Sequence, residues 1–366
     1  MPVGYIPHLP SSSEPPSLQN RPRKLVWVIF GATGHLGRSI CRNALEMGDN
    51  VTAVGRDVDG EQVMQNWHAR CQGLVCDVKV RRTLEEVIEK ARAKWGRIDV
   101  IANCAGFGII GSCEDQDETD IRSQFDTNVL GILNILQLTL PYFRERGYGR
   151  YIIFSSIAGF SGIPGLGPYG ATKFAVEGLV ESLMYEIEPF GVKATLVEPS
   201  ITRRDEPDEL AANIQPPLWG HFLIKPPSAP YRPSTSPAQH ALKMVDWLKH
   251  NQPTSAVKIA ECVWELAHCE HPPLRLLMGS HAVETTRDRL RAIIEEIEEW
   301  KHLNFPSDRL PSENEEGEHS RAEGEHDDGD GDNDDEGDEG EDGDGDMSGT
   351  EGEDHDGEDE EEVDEN

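Results

Sequence analysis

Between residues 25 and 305, short apolar runs rich in β-branched residues alternate with longer segments of helical length. The apolar runs are residues 25–30, 51–54, 73–76, 99–102, 151–154 and 192–197. Segments of helical spacing lie between them, at 80–95, 121–146 and 169–190. Strands of a parallel sheet are buried on both faces and are joined by helical crossovers, so this alternation predicts one α/β domain with a doubly wound parallel sheet.

Both ends of the chain depart from this pattern. Residues 1–24 contain six prolines and a run of three serines, and residues 313–366 contain 30 acidic residues and a single basic one, Arg321. Such segments bury too little apolar surface to offset their ordering entropy, so we predict disorder at 1–24 and 306–366. The acidic tail accounts for most of the formal charge of −34 and leaves the folded part nearly neutral. We expect the tail to repel nucleic acid and either to solubilise the protein or to bind basic proteins.

Several classes of protein are disfavoured by composition. No run of about 18 apolar residues occurs, which predicts the absence of a membrane span, and the first residues lack the apolar stretch of a signal peptide. The seven cysteines form no C-x-x-C pair and no Cys/His ligand spacing, so we predict neither a disulfide scaffold nor a metal site. These features together predict a cytoplasmic protein.

The first predicted strand runs directly into the glycine-rich turn Gly31-Ala32-Thr33-Gly34-His35-Leu36-Gly37 and then into a helix. Glycines allow backbone N–H groups to approach a pyrophosphate, and the N-terminus of the helix favours its negative charge. The turn therefore predicts a dinucleotide site in a Rossmann-type fold. A purely structural turn is the alternative.

Arg56 follows the second predicted strand, where dinucleotide sites distinguish their two cofactors. A carboxylate at this place accepts from the ribose 2′-hydroxyl of NAD, whereas an arginine binds the 2′-phosphate of NADP. Arg56 thus favours NADP(H) over NAD(H). The neighbouring Asp57 keeps NAD(H) open, and a solvated surface arginine is the structural alternative.

Tyr169 and Lys173 are four residues apart, so on a helix they share one face. Lowering the pKa of a phenol from about 10 to about 7 needs roughly 4 kcal/mol, which a neighbouring ammonium and an oxidised nicotinamide can supply together. Tyr169 is then a general acid or base, and Ser156, at the end of a predicted strand, holds the substrate oxygen. We predict Tyr169, Lys173, Ser156 and Asn128 as catalytic residues.

The whole set of motifs resembles the short-chain dehydrogenase/reductase family over about residues 25–300, and fungal 17β-hydroxysteroid-dehydrogenase-like members in particular. The motifs that carry this resemblance are the glycine turn, Cys76-Asp77-Val78, Asn103-Cys104-Ala105-Gly106, Asn128-Val129-Leu130-Gly131, Ser155-Ser156, Tyr169-x-x-x-Lys173, Glu198-Pro199 and Pro272–Gly279 before a charged helix.

The resemblance implies roles for individual residues. Asp77 contacts the adenine with support from Val78, Asn103 and Ala105 line the cofactor, Asn128 holds a water of a proton relay, and Lys173 also binds the nicotinamide ribose. The residues predicted to bind the cofactor are Gly31, Thr33, Gly34, Leu36, Gly37, Arg56, Asp77, Val78, Asn103, Ala105, Gly106, Tyr169, Lys173 and Thr202. Structural alternatives are a strand-end cap for Asp77, a satisfied buried amide for Asn103 and a polar helix position for Asn128.

Two positions depart from the family pattern. The usual spacing puts a glycine where this chain has His35, and the chain has Gly34 instead, a spacing common in the extended branch of the family. A Pro-Gly pair is expected after the sixth strand, and the chain has Pro199-Ser200, so we predict that Thr202 contacts the nicotinamide from a shifted position.

These observations predict an enzyme that reduces a ketone or oxidises a secondary alcohol on an apolar steroid-, lipid- or polyketide-like molecule, with a role in secondary metabolism. Residues 200–237 form a predicted substrate lid, which carries Leu218, Trp219, Phe222, Leu223 and Ile224; further pocket candidates are Phe107, Ile109, Ile110, Phe160, Ile163 and Leu166. A cofactor-binding pseudoenzyme or scaffold is one alternative, and an epimerase or dehydratase is another, although the chain lacks an obvious additional substrate domain. The resemblance also implies a homodimer or tetramer that pairs through the helices at 121–146 and 169–190.

Overall fold

The structure is a computed structural model that describes residues 23–56, 58–203, 218–219, 221–248, 254–269 and 271–303. The side chains of residues 58, 59, 203, 218, 219 and 245–248 are not described. The predictions of disorder at 1–24 and 306–366 lie almost entirely outside these ranges, as do Asp57 and residues 204–217 of the predicted lid. The described residues 23–302 belong to one compact unit.

Twelve strands and nine helices occur in the described ranges. The strands are β1 (Val26–Phe30), β2 (Asn50–Gly55), β3 (Cys71–Val75), β4 (Val100–Asn103), β5 (Gly108–Ile110), β6 (Gly149–Phe154), β7 (Val192–Pro199), β8 (Thr202–Arg203), β9 (Leu218–Trp219), β10 (Phe222–Ile224), β11 (Thr254–Ser255) and β12 (Arg275–Met278). The helices are α1 (His35–Glu46), α2 (Val58–Gln65), α3 (Arg81–Trp95), α4 (Glu118–Phe125), α5 (Gly131–Arg146), α6 (Gly167–Ile187), α7 (His240–Leu248), α8 (Ala256–Ala267) and α9 (Ser280–Trp300).

The predicted doubly wound parallel sheet is confirmed. Seven parallel strands run in the order β12-β7-β6-β4-β1-β2-β3, and six of them coincide with the predicted apolar runs to within two residues at each end. The seventh, β12, was not predicted, because its four residues, Arg275–Met278, include a charged one and are too few to show a period. It pairs with β7 and extends the sheet at that edge.

The order of the strands reverses beside β1. The chain passes from β1 to β2 and β3 on one side of it, and then crosses to β4 on the other side. In such sheets, ligands bind at the carboxyl ends of the strands at the point of reversal. The turns after β1 and β4 therefore flank the expected binding crevice.

The two faces of the sheet are covered by helices, as the alternating pattern predicts. One buried cluster packs α3, α5 and α6 on one face, and the other packs α1 and α8 on the opposite face. Tyr151 and Phe143 lie in the first cluster with ring centroids 5.2 Å apart, and Trp27 lies in the second with no exposed surface. None of the helices in the described ranges is long and apolar enough to span a bilayer.

The predicted helix at 121–146 contains a break in its regular hydrogen bonding. A π turn at Asp126–Leu130 connects α4 to α5 and contains Asn128. Single π turns inside helices are frequent at functional sites. The apolar periodicity continues through the π turn, so the sequence predicts one continuous helix and the π turn was not predicted.

A small second sheet joins the described part of the predicted lid to the main domain. Strand β10 pairs in parallel with β5, which follows β4 in the chain, and antiparallel with β9. This pairing holds Phe222–Ile224 beside the carboxyl end of β4.

Candidate active site

The glycine turn after β1 is shaped by two positions at which only glycine fits. Gly31 has φ +76°, and a Cβ there would lie 2.6 Å from the backbone nitrogen of Ala105. A Cβ at Gly37 would lie 2.3 Å from the carbonyl oxygen of Gly31. The turns after β1 and β4 consequently touch through backbone atoms.

Gly34, the position that departs from the family spacing, is less constrained. Its N–H donates to the carbonyl of Gly31 over 3.0 Å, and a Cβ there would lie 3.3 Å from that oxygen. Thr33 and Gly34 are exposed, while Leu36 is half-buried and packs on the core below the turn. Thr33 and Gly34 thus form the solvent-exposed part of the turn.

The end of β2 lies next to this turn. Arg56 is exposed, and a Cβ at the buried Gly55 would lie 2.8 Å from Cγ2 of Thr33. The methyl group of Thr33 therefore covers Gly55, and the exposed side of this junction carries the Arg56 guanidinium. A carboxylate introduced at position 55 would collide with Thr33.

Asp77 and Val78, which follow β3, both make contacts that stabilise the local structure. The Asp77 carboxylate accepts from the backbone N–H of Lys79 over 3.0 Å and lies 3.6 Å from Nζ of the same lysine. Val78 is buried, and a Cβ at Gly131 would lie 2.6 Å from it, so Val78 packs on the first turn of α5. The strand-end cap expected as the alternative for Asp77 is present, and its adenine contact stays a prediction.

Asn103, at the end of β4, is not the satisfied amide that was the structural alternative. The side chain is 2% exposed, and its Oδ1 has no hydrogen-bond partner among the described residues. An unpaired buried acceptor is costly unless a ligand supplies a donor. This orphaned oxygen, the glycine turn and the exposed Arg56 together fit a dinucleotide in the crevice, with the half-buried Ala105 and Gly106 beside it.

Asn128 is completely buried in the π turn and connects three segments. Its Nδ2 donates to the carbonyl of Phe107 over 2.8 Å and to Oγ1 of Thr172 over 3.0 Å, and its Oδ1 accepts from the N–H of Phe107 over 3.0 Å. Both amide hydrogens are used in this way, so a water held by this side chain would have to donate to Oδ1. A Cβ at Gly106 would lie 3.1 Å from that oxygen and 3.9 Å from Nζ of Lys173.

Tyr169 and Lys173 lie on the first turns of α6, on one face, as their spacing predicts. The side chains are 4% and 5% exposed, and Nζ of Lys173 lies 5.7 Å from the centroid of the Tyr169 ring. Nζ also donates to the carbonyl of Phe154 at the end of β6 over 2.9 Å. Ser156 follows two residues later and accepts from the N–H of Ala158 over 3.2 Å, so its hydroxyl hydrogen is directed elsewhere.

Burial controls the acid–base behaviour of this pair. It raises the pKa of the Tyr169 phenol above its usual range, and the hydrogen bond with Ser156 offsets part of that rise. Burial also lowers the pKa of Lys173 to about 8, against the opposing charge of Glu177. Without a bound cofactor, Tyr169 is therefore a neutral phenol at pH 7 and Lys173 is charged.

Near Lys173 lies an ionic cluster, with Glu177 and Glu198 buried, that was not predicted from the sequence. Arg275 from β12 lies 3.1 Å from Glu177, 2.8 Å from Glu181 and 3.6 Å from Glu198. Burial and the nearby Glu177 raise the pKa of Glu198 to about 7 despite Arg275. The one signal available in the sequence was that Glu177 follows Lys173 by four residues on the same helix.

The predicted pocket and lid residues divide into two sets. Ile109 and Ile110 are at most 2% exposed, and Leu166 is also buried. Ile110 and Leu166 belong to the cluster that contains Tyr169. Phe107, Phe160 and Ile163 are half-buried.

The lid strand β10 contacts the predicted catalytic tyrosine. The Phe222 ring meets the Tyr169 ring edge to face at 5.0 Å, and the His221 ring lies 6.0 Å from it. A Cβ at Gly108 would lie 2.6 Å from the Tyr169 ring, so glycine is required for this packing. His221 was not predicted, because only the pairing of β10 with β5 brings it to the site.

Thr202 lies at the start of β8, which pairs with β11. Its hydroxyl donates to the carbonyl of Ser200 over 3.1 Å, and the Ser200 hydroxyl lies 3.1 Å from that of Thr254. Ser200, which stands where the family pattern has glycine, thus shares a side-chain hydrogen bond with Thr254. A nicotinamide contact by Thr202 stays a prediction.

Comparison with known proteins gives consistent matches. The family described as short chain dehydrogenase matches residues 25–213. Oxidoreductase BOA17 from the fungus Botryotinia fuckeliana is 29% identical over 286 residues, 77% of this chain and 98% of its own length. A 3-ketodihydrosphingosine reductase from Bacteroides thetaiotaomicron is 36% identical over 172 residues, 47% of this chain and 62% of its own. The crystal structure of a short-chain dehydrogenase from Streptomyces avermitilis superposes with a TM-score of 0.67 at 28% identity, covering 77% of this chain and 97% of that one.

Proposed function

The chain belongs to the short-chain dehydrogenase family, and from this premise we propose that it is an NADP(H)-dependent reductase of ketones on apolar small molecules. The observation that carries the proposal is the buried pair of Tyr169 and Lys173 at the switch-point edge of the sheet. Tyr169, Lys173, Ser156 and Asn128 are proposed to carry the chemistry together.

The protonated form of Tyr169 is the form that reduction of a carbonyl requires. Burial raises the pKa of its phenol further above neutral pH, so the resting side chain carries the proton that it would donate. Oxidation of an alcohol would require the phenolate first, which this environment disfavours until a bound oxidised cofactor adds positive charge.

Each of the four proposed catalytic residues has a distinct role. When bound, the reduced nicotinamide supplies a hydride to the carbonyl carbon of the substrate. The Ser156 hydroxyl donates a hydrogen bond that holds the carbonyl oxygen, and Tyr169 transfers its phenolic proton to that oxygen. The ammonium of Lys173 stabilises the resulting phenolate. Asn128 holds α6 and the segment between β4 and β5 in place through its hydrogen bonds to Thr172 and Phe107.

The cofactor is proposed to be held by residues at the carboxyl ends of four strands. The glycine turn and the N-terminus of α1 bind the pyrophosphate, Asn103 accepts from the nicotinamide half, Asp77 faces the adenine, and Arg56 binds the 2′-phosphate. The exposed position of Arg56 beside Thr33 supports the preference for NADP(H).

The cofactor preference is tested with Arg56→Ala. Loss of a charge-assisted contact worth roughly 1.5–3 kcal/mol should lower kcat/KM for NADPH by about ten- to hundredfold and leave that for NADH nearly unchanged. Arg42→Ala is the matched control, because Arg42 is an exposed arginine that pairs with Glu46 on α1. Equal losses with both cofactors, or a parent that prefers NADH, would contradict the proposal.

The apolar substrate class has two supports. The surroundings of Tyr169 are apolar, with Phe222, Leu166 and Ile163 in one cluster. One relative carries the name of a 3-ketodihydrosphingosine reductase. We therefore propose ketones with an aliphatic or polycyclic body as substrates and the cytoplasm as the location.

A panel of ketones tests the reaction itself. Consumption of NADPH, followed by its absorbance, should rise with the apolar area of the ketone and be lost in Tyr169→Phe. Absence of turnover with every ketone, despite NADPH binding, would favour the alternative of a cofactor-binding scaffold.

A further inference from the structure

Helix α9 presents an apolar stripe that the described part of the domain does not cover. The helix is 21 residues long, and Ala282 is its one buried residue. The exposed apolar residues are Val283, Leu290, Ile294, Ile297 and Trp300, at 36–60% exposure. Their spacing of three, four and seven residues puts them on one face of the helix.

The charges of α9 are separated along its length. Arg287, Arg289 and Arg291 lie in the first half, and glutamates occupy positions 295, 296, 298 and 299 in the second half. Relative to the apolar stripe, Arg287 and Arg291 lie on the same flank as Glu295 and Glu298, whereas Arg289 lies on the other flank with Glu296.

This arrangement is complementary to itself in one orientation only. In an antiparallel pair of identical helices, each flank faces the same flank of the other copy, and the first half faces the second half. Arg291 then faces Glu298 of the second copy, Arg289 faces Glu296, and Leu290 packs on Ile297. In a parallel pair, the arginines would face arginines and the glutamates would face glutamates.

The sequence beyond α9 favours the same orientation. Residues 313–366 carry 30 acidic side chains. In a parallel pair, two such segments would leave from the same end of the helices, and their repulsion would oppose pairing. An antiparallel pair sends them from opposite ends.

We propose that α9 is a self-association surface through which two copies of this chain pair antiparallel about a two-fold axis near Ile293 and Ile294. The apolar stripe supplies the buried area, and the flanking arginines and glutamates set the orientation. This surface is separate from α5 and α6, which the family resemblance implies for pairing. Pairing through α9 is therefore additional to any pairing through those two helices.

The first test compares two substitutions that add the same charge to α9 in the full chain. Ile294→Glu puts a carboxylate in the stripe, and Ala292→Glu puts one on the exposed opposite face. Measured by sedimentation velocity over a range of concentrations, Ile294→Glu should weaken assembly roughly tenfold or more and halve the mass of the assembly. Ala292→Glu should assemble like the parent.

The second test uses charge reversal, which separates self-pairing from binding of another occupant. Arg291→Glu and Glu298→Arg should each weaken assembly, and the double variant should restore it, because each reversed residue then faces the other reversed residue across the two-fold axis. The weakening should shrink at high salt.

Three results would overturn the proposal. They are equal assembly of Ile294→Glu and Ala292→Glu, failure of the double reversal to restore assembly, and an assembly that Tyr185→Glu on α6 breaks while Ile294→Glu leaves it intact. Binding of the parent to neutral lipid vesicles, lost in Ile294→Glu without any change in assembly mass, would assign the stripe to a membrane surface instead. A parent that sediments as a monomer at every concentration would also overturn it.

Discussion

Helices α6 and α9 are both 21 residues long, but they differ in how many of their residues are buried. Ten residues of α6 are buried, including Tyr169, Lys173 and Glu177, whereas α9 buries Ala282 alone. Burial in α6 shifts the pKa values of ionisable groups and prepares them for chemistry. Exposure in α9 makes its charged side chains available for pairing with another surface.

The largest effect is expected from removing the proton donor of α6. Tyr169→Phe should lower turnover by roughly 10²- to 10⁴-fold with little change in NADPH affinity, because it deletes the transferable proton and little else. Tyr185→Phe makes the same change at a position of α6 that is 77% exposed and should have kinetic constants close to those of the parent. Activity of Tyr169→Phe within tenfold of the parent would remove its proposed role.

Removal of the buried charge on α6 should affect both binding and rate. Lys173→Met keeps the length of the side chain but loses the ammonium, so we expect the Kd of NADPH to rise about tenfold or more and kcat to fall as well. Stopped-flow rates and fluorescence titration of NADPH measure the two effects separately. Lys90→Met, at an exposed position of α3, is the control. A loss confined to kcat would eliminate the ribose contact.

A matched pair of stability measurements sharpens the comparison of the two helices. Val180→Ala in α6 removes two buried methyl groups and should lower the free energy of unfolding by about 2 kcal/mol. Val283→Ala in α9, where the side chain is 36% exposed, should change it by less than about 0.5 kcal/mol. Urea denaturation at low protein concentration measures both, and equal values would mean that α9 is packed against something in solution.

The smallest effect concerns the pH dependence of reduction. The pKa of Lys173 is about 8, so its ammonium is lost as the pH rises through that value, and kcat/KM should fall on the alkaline side. Glu177 opposes the lowering of this pKa. Glu177→Gln should therefore move the alkaline limb to lower pH by roughly half a unit.

Glu181→Gln is the control for that shift, because Glu181 also pairs with Arg275 but is half-exposed and one turn further from Lys173. It should leave the limb in place. Equal shifts in both variants would indicate that Arg275 acts on the site through the structure of β12 and not through the charge of Glu177.

Local patterns in the sequence determined most of the framework. Apolar runs and helical spacing predicted six of the seven strands of the main sheet, because buried parallel strands leave a continuous apolar signature. The interval of four residues between Tyr169 and Lys173 placed both on one face of α6, and the glycine turn after β1 followed from the steric demand at Gly31 and Gly37. Each of these rests on interactions between residues close together in the chain.

Contacts between distant segments were decided only by the tertiary structure. Pairing of β10 with β5 brought His221 and Phe222 to Tyr169, and the addition of β12 brought Arg275 to Glu177 and Glu198. The orphaned oxygen of Asn103 and the pKa values of Tyr169 and Lys173 depend in the same way on what surrounds each group. The physical reason is that burial and Coulomb interactions are set by neighbours in space, and a single sequence specifies such neighbours only where they are also neighbours along one helix or turn.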